Sequence, residues 1–121
     1  MKKILIVDDE EKVRRLVEVT LSIGKFDILH ASSGEEALKI ARESKPDIML
    51  LDIMMPGKLD GFDVCRLLKK DPDIANIYII MLTAKGQKVD KEKGLALGAD
   101  DYFVKPFSPM ELIDKIDRVL A

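Results

Sequence analysis

The sequence has one cysteine, Cys65, which excludes an internal disulfide and makes a reducing, cytoplasmic setting the plain expectation. Cys65 falls among helix-spaced apolar residues, so a buried structural thiol is expected rather than a reactive one. No apolar run approaches the roughly 18–20 residues that cross a bilayer, so no membrane association is expected. Met1-Lys2-Lys3 leads into Ile4-Leu5-Ile6-Val7, but Asp8-Asp9-Glu10-Glu11 cut that run too short for a secretory signal. Charge of one sign is also missing. With 20 basic residues against 22 acidic, the net charge of −2 offers no basic surplus for direct nucleic-acid binding by this chain.

What remains is an ordinary globular composition: 121 residues, 47% hydrophobic and 35% charged, the size of a single domain spanning 1–121. Short apolar runs at Ile4–Val7, Phe26–His30, Ile48–Leu51, Ile77–Leu82 and Tyr102–Val104 read as strands. The first, third and fourth are apolar at nearly every position, as in strands covered on both faces. Helix-period stretches lie between them. Val13, Leu16, Val17 and Leu21 share one expected face, and Ser33-Gly34-Glu35-Glu36 reads as a capping box before Ala37, Ile40 and Ala41. Asp60-Gly61 opens a helix with Phe62, Cys65 and Leu68. The stretch Val89–Leu97 is the weakest, because Gly94 costs up to about 1 kcal/mol relative to Ala. Ser108-Pro109-Met110-Glu111 then starts a last helix striped by Leu112, Ile116 and Val119, with serine at the N-cap and proline at N1. Alternation of this kind predicts five βα units in an α/β, doubly wound parallel sheet.

Ligands in such sheets bind beyond the carboxyl ends of the strands. Those positions hold Asp8 and Asp9 after the first run, Asp52 after the third, Thr83 after the fourth, and Lys105-Pro106 after the fifth. Each has an ordinary explanation alone: acidic residues favour helix starts, and Asp, Thr and Lys-Pro are common in caps and turns. Their joint placement on one edge is what chance does not supply. Clustered carboxylates repel one another unless a cation offsets them, and their hard oxygens suit Mg²⁺. A lysine there can neutralise the remaining charge or an arriving phosphoryl group.

With these segments in view, the chain resembles the receiver domains of two-component response regulators over essentially its whole length. The carrying segments are Ile4-Leu5-Ile6-Val7-Asp8-Asp9-Glu10, Pro46 through Pro56 followed by Asp60-Gly61, Met81-Leu82-Thr83-Ala84, and Gly98 through Phe107. The resemblance implies a (βα)₅ flavodoxin-like fold with strand order 2-1-3-4-5. It implies Asp52 as phosphoacceptor, Asp9 as a direct Mg²⁺ ligand, Asp8 acting through water, and the backbone carbonyl of Met54 completing the metal set. It also implies that Thr83 turns toward the phosphoryl group, that Lys105 pairs with it, that Tyr102 changes rotamer, and that the Lys105–Pro106 bond is often cis. The implied partners are a sensor histidine kinase or phosphotransfer protein and a downstream target or output domain. The implied role is a signalling switch rather than an enzyme in its own right.

Gly57-Lys58-Leu59 make the loop after Pro56 one residue longer than the commonest family form, and Gly57 supplies the flexibility to absorb it. Lys91, Asp101, Glu111 and Lys115 resemble charges that pair between subunits in the winged-helix transcription-factor branch, with only Arg118 for its late basic residue. A homodimer through the 89–120 face is therefore one expectation, and ordinary solvated charges the other. His30 receives no role. A haloacid-dehalogenase-type hydrolase requires a second Asp where Met54 stands, and a flavin carrier requires a phosphate loop that does not follow Val7. A degenerate receiver that no longer takes phosphate is disfavoured by intact Asp9, Asp52, Thr83 and Lys105.

Overall fold

The computed structural model describes residues 1–84, 88–105 and 107–121. Among these, strands β1 (Lys2–Val7), β2 (Phe26–Ala31), β3 (Ile48–Asp52), β4 (Tyr78–Ala84) and β5 (Asp101–Lys105) alternate with helices. The helices are α1 (Glu11–Leu21), α2 (Gly34–Ser44), α3 (Gly61–Lys70), α4 (Lys88–Ala96) and α5 (Pro109–Leu120). Every pairing is parallel and the sheet order is β2-β1-β3-β4-β5, the doubly wound arrangement expected.

Successive side chains of a strand point to opposite faces, so residue parity sorts the core in two. Ile4, Ile6, Ile48, Leu50, Ile80 and Leu82 face α1 and α5, meeting Val17, Leu21, Leu112 and Ile116. Leu5, Val7, Met49, Leu51, Ile79 and Met81 face the other way, onto Ala37, Leu38 and Ala41 of α2 and Phe62, Val64, Cys65 and Leu68 of α3. Gly94 of α4 lies against Met81 on that second face. Burial on both faces is why residues 4–7, 48–51 and 79–82 of β1, β3 and β4 include no polar residue.

Several local expectations need correction. Leu16 is 67% exposed and belongs to no buried face, whereas Val17 and Leu21 are buried and Val13 half-buried. Val13, Val17 and Leu21 form an i, i+4, i+8 row, and Leu16 sits about 100° around the helix from its centre. Ser33 Oγ accepts from Glu36 N–H at 3.2 Å as expected, but the Glu36 carboxylate accepts from Ser32 N–H rather than from the cap residue itself. Ser108 is the N-cap of α5 with Pro109 after it, yet its side chain makes no capping bond; its carbonyl takes the Leu112 N–H instead. The reciprocal capping box falls at α3, where Asp60 and Asp63 each accept the other's backbone N–H. Cys65 is fully buried, its Sγ 3.7 Å from the Leu97 carbonyl, and burial pushes the thiol up to about 11. His30 pairs with Glu18 at 2.9 Å.

Candidate functional site

The strands run further than the apolar runs suggest. Asp52, Thr83 and Lys105 do not follow β3, β4 and β5 but lie within them, near or at their carboxyl ends. Backbone pairing holds each in place: Asp52 is registered with Leu82, Thr83 with Val104, and Ala84 with Lys105. Since Val7 is registered with Leu51, the next residues, Asp8 and Asp52, emerge side by side. Asp8 is 1% exposed, Asp52 8% and Thr83 2%, three polar groups in an interior that is otherwise apolar among the described residues.

Lys105 joins the two buried carboxylates. Its Nζ donates to Asp52 Oδ1 at 3.1 Å and to Asp8 Oδ2 at 3.2 Å. The other Asp8 oxygen accepts the Glu10 N–H at 2.9 Å, which ties the start of α1 to the site. Asp9 is exposed, and Asp8, Asp9 and Asp52 each bring a carboxylate oxygen within 4.8 Å of the other two. Three carboxylates against one ammonium leave negative charge uncompensated, and an all-oxygen donor set fits a hard divalent cation such as Mg²⁺.

Burial raises the Asp52 carboxyl; Lys105 opposes that, Asp8 and Asp9 reinforce it, and the balance stands at about 6 against an ordinary 3.8. Burial alone would lower the Lys105 ammonium, but the Asp52 and Asp8 carboxylates outweigh it and hold the lysine above its usual range. At neutral pH the site therefore contains an ionised but poorly stabilised Asp52 beside a firmly charged lysine.

Two further groups lie on the other side of the sheet. Thr83 Oγ1 donates to the Phe103 carbonyl at 3.3 Å and so faces β5 rather than Asp52. Tyr102 packs against the same apolar cluster as Met81, and the Lys91 ammonium sits 4.1 Å from its ring centroid. Met54 lies in the connection after β3 and is 75% exposed. The Lys105–Pro106 peptide bond lies outside the described residues.

Two residues without an assigned role at the sequence level shape the site. A Cβ on Gly61 would collide with the Asp52 carbonyl oxygen, and the Gly61 N–H donates to the Ile53 carbonyl at 2.9 Å. Only glycine lets α3 start directly against the backbone of Asp52. Arg14, one turn into α1, donates from Nη1 to the Asp8 carbonyl. Both contacts are to backbone atoms, which side-chain patterns do not reveal. Gly57, in the longer loop, has φ +102°, the left-handed conformation in which glycine carries no penalty.

The family model described as the response regulator receiver domain matches residues 4–117. The chain belongs to that family. Among curated relatives, this receiver is 52% identical over 119 residues to "Probable transcriptional regulator ycf27" of Porphyra purpurea, covering 98% of the chain and 47% of that protein. It is 49% identical to the alkaline phosphatase synthesis transcriptional regulatory protein PhoP of Bacillus subtilis, covering 98% of the chain and 48% of that protein. The chain thus spans about half the length of these relatives. The solved structure of Vibrio cholerae chemotaxis protein CheY4 superposes with a TM-score of 0.89 at 33% identity, covering 98% of each chain. No helix among the described residues is long and apolar enough to cross a membrane.

The four surface charges considered for inter-subunit pairing are partly engaged within the protomer. Lys115 Nζ meets Asp101 Oδ2 at 2.6 Å, and Lys91 lies over Tyr102. Asp101, Glu111 and Lys115 border an open groove of about 570 Å³ along β5 and α5 that also includes Tyr102, Val104 and Lys105.

Proposed function

We propose that this receiver accepts a phosphoryl group on Asp52 from a sensor histidine kinase or phosphotransfer protein, with Mg²⁺ bound at Asp9, Asp52 and the Met54 carbonyl and Asp8 acting through water. The observation that carries the reading is the Lys105 ammonium held between the buried Asp52 and Asp8 carboxylates. An Asp52 oxygen attacks phosphorus, the P–N bond to the donor imidazole breaks, and the imidazole leaves with the electron pair. The acceptor must be ionised, and a carboxyl standing at about 6 is so at neutral pH. Phosphoryl transfer asks a protein chiefly for positioning and charge neutralisation. Bound Mg²⁺ supplies positive charge toward the phosphoryl oxygens. Lys105 turns from the free carboxylate to those oxygens, and Asp8, buried and anchored by the Glu10 N–H, keeps the lysine at the site.

The product is larger and more negative than the carboxylate it replaces. It draws the Thr83 hydroxyl away from the Phe103 carbonyl, and the space released admits Tyr102 inward. That move parts Tyr102 from Lys91, a cation–π contact worth about 0.5–1 kcal/mol at an exposed site. The change is read on the face of α4, β5 and α5. There the exposed Leu95, Val104 and Met110 suit a protein partner, an output domain of the whole regulator, or a second copy of the chain. The names of the relatives favour transcriptional control by the whole protein.

Acetyl phosphate with Mg²⁺ tests the reading. One phosphoryl group is expected on the intact protein, mapped to the peptide containing Asp52 and lost in Asp52→Asn. Equal labelling of Asp52→Asn removes Asp52 as acceptor, and an unlabelled wild type removes the activity.

A further inference from the structure

Arg14 makes an unusual choice of partner. Its guanidinium is half-buried beside an acidic site, and among the described residues it forms no ion pair. A carboxylate would accept a stronger bond than a neutral oxygen does. Nη1 nonetheless donates to the backbone carbonyl of Asp8, and the buried Nε finds no partner among the described residues. The side chain is thus committed to one peptide oxygen at the expense of its own hydrogen bonding. That oxygen belongs to the peptide unit joining Asp8 to Asp9. The same turn is fixed from other directions: Asp8 N–H donates to Ala31 at 3.1 Å, Glu10 N–H to Asp8 Oδ1 at 2.9 Å, and Arg14 N–H to Glu10 at 3.2 Å. None of these bonds touches the Asp8–Asp9 peptide plane except through Arg14.

We propose that Arg14 is a positioning residue for the cation site, holding the Asp8–Asp9 peptide so that the exposed Asp9 carboxylate stays in reach of Asp8 and Asp52. The inference rests on the Mg²⁺ reading above. It has a distinctive sign. A guanidinium beside a dication acts by charge alone to repel it, so simple removal of the charge tightens Mg²⁺ binding. Removal of a brace loosens it. Partners that orient metal ligands typically change affinity by tenfold or more.

The test is Mg²⁺ titration of wild type, Arg14→Met, Arg14→Lys and Asp9→Ala by calorimetry, with backbone amide spectra of each metal-free protein. Arg14→Met keeps an apolar stem of similar length, removes the unpaired Nε, and carries no donor. It is expected to bind Mg²⁺ about tenfold more weakly, with the metal-free amide signals of Asp9 and Glu10 displaced and those of Ile79 and Phe103 unchanged. Arg14→Lys, which keeps a donor, is expected to recover most of the affinity. Equal or tighter binding by Arg14→Met overturns the assignment. So does an equal loss in both variants that tracks a fall in metal-free melting temperature, because that outcome describes a fold defect. If wild type binds but Asp9→Ala does not, failure at Arg14 leaves the metal site standing. If wild type itself fails to bind Mg²⁺, the metal reading falls and takes the role of Arg14 with it.

Discussion

Asp52→Asn replaces an ionisable carboxyl with a neutral side chain of the same shape, and the metal-free protein is expected to gain stability from it. The folded chain holds the Asp52 proton up to about pH 6, whereas the unfolded chain releases it near 3.8. Between those values the folded state binds more protons than the unfolded one, so stability falls as pH rises through that window and stays low above it. At about 1.4 kcal/mol per pH unit the shift amounts to ~3 kcal/mol by neutral pH, an upper figure that already includes the opposing attraction of Lys105. Asn cannot ionise, so the variant escapes this loss. The advantage of Asp52→Asn over wild type is expected to be close to zero below pH 3.8, to grow between pH 4 and 6, and to level off above pH 7. At that plateau the melting temperature is raised by roughly 10 °C. Urea unfolding followed by circular dichroism, in chelator-treated buffers from pH 3.5 to 8, measures it; titrating groups remote from Asp52 are common to both proteins and cancel in the difference. Mg²⁺ then narrows the gap by stabilising wild type more. A variant less stable than wild type at pH 7.5 without metal, or a difference independent of pH, refutes the reasoning.

Asp9→Ala is expected to abolish Mg²⁺ binding with little change in metal-free stability, because Asp9 is exposed. Asp8→Ala is expected to weaken binding less but to destabilise the fold by about 1–3 kcal/mol, since it strips the Glu10 N–H and Lys105 of a buried acceptor; chemical denaturation beside calorimetric titration separates the two. Gly61→Ala pushes α3 off the Asp52 backbone and is expected to cost about 1–3 kcal/mol and to shift the Asp52 amide resonance, measured by unfolding and by NMR. Gly94→Ala has the opposite sign. Its Cβ meets Met81 Cγ at an ordinary 3.4 Å, so the helix gains up to about 1 kcal/mol, and slower amide exchange along α4 reports it.

The sequence made the architecture readable because β1, β3 and β4 are covered on both faces and so stand out as unbroken apolar runs. Strand ends were less visible. Asp52, Thr83 and Lys105 look like loop residues by polarity, yet the parallel ladder carries through Asp52↔Leu82 and Ala84↔Lys105, a fact held by backbone bonds rather than side chains. Leu16 misled because three- and four-residue spacing admits residues on either flank of a helix, and only packing chooses between them. The convergence of Asp8, Asp9 and Asp52 was legible once the strand ends were assigned to one edge. Arg14 was not, because an arginine among the charged residues that open α1 gives no sign that its partner is a peptide carbonyl. Thr83 was identified by position, but its bond to Phe103 depends on a rotamer no pattern records.

Parity along the strands has a consequence for how the site and its surroundings tolerate change. Asp52 and Lys105 continue the series that faces α1 and α5, while Thr83 and Tyr102 continue the series that faces α2, α3 and α4. The sheet is therefore a partition one residue thick, with the charged groups in one chamber and the proposed responders in the other. Thr83, with its hydroxyl hung on the neighbouring strand's carbonyl, is the proposed doorway between them. Drift in the packing of α1 alters the charged chamber without rearranging the other, and drift around α4 does the reverse, while α5 belongs to both, packing on the charged side and bordering the groove along β5. Each half is free to adapt to a different partner, provided the doorway at Thr83 is kept.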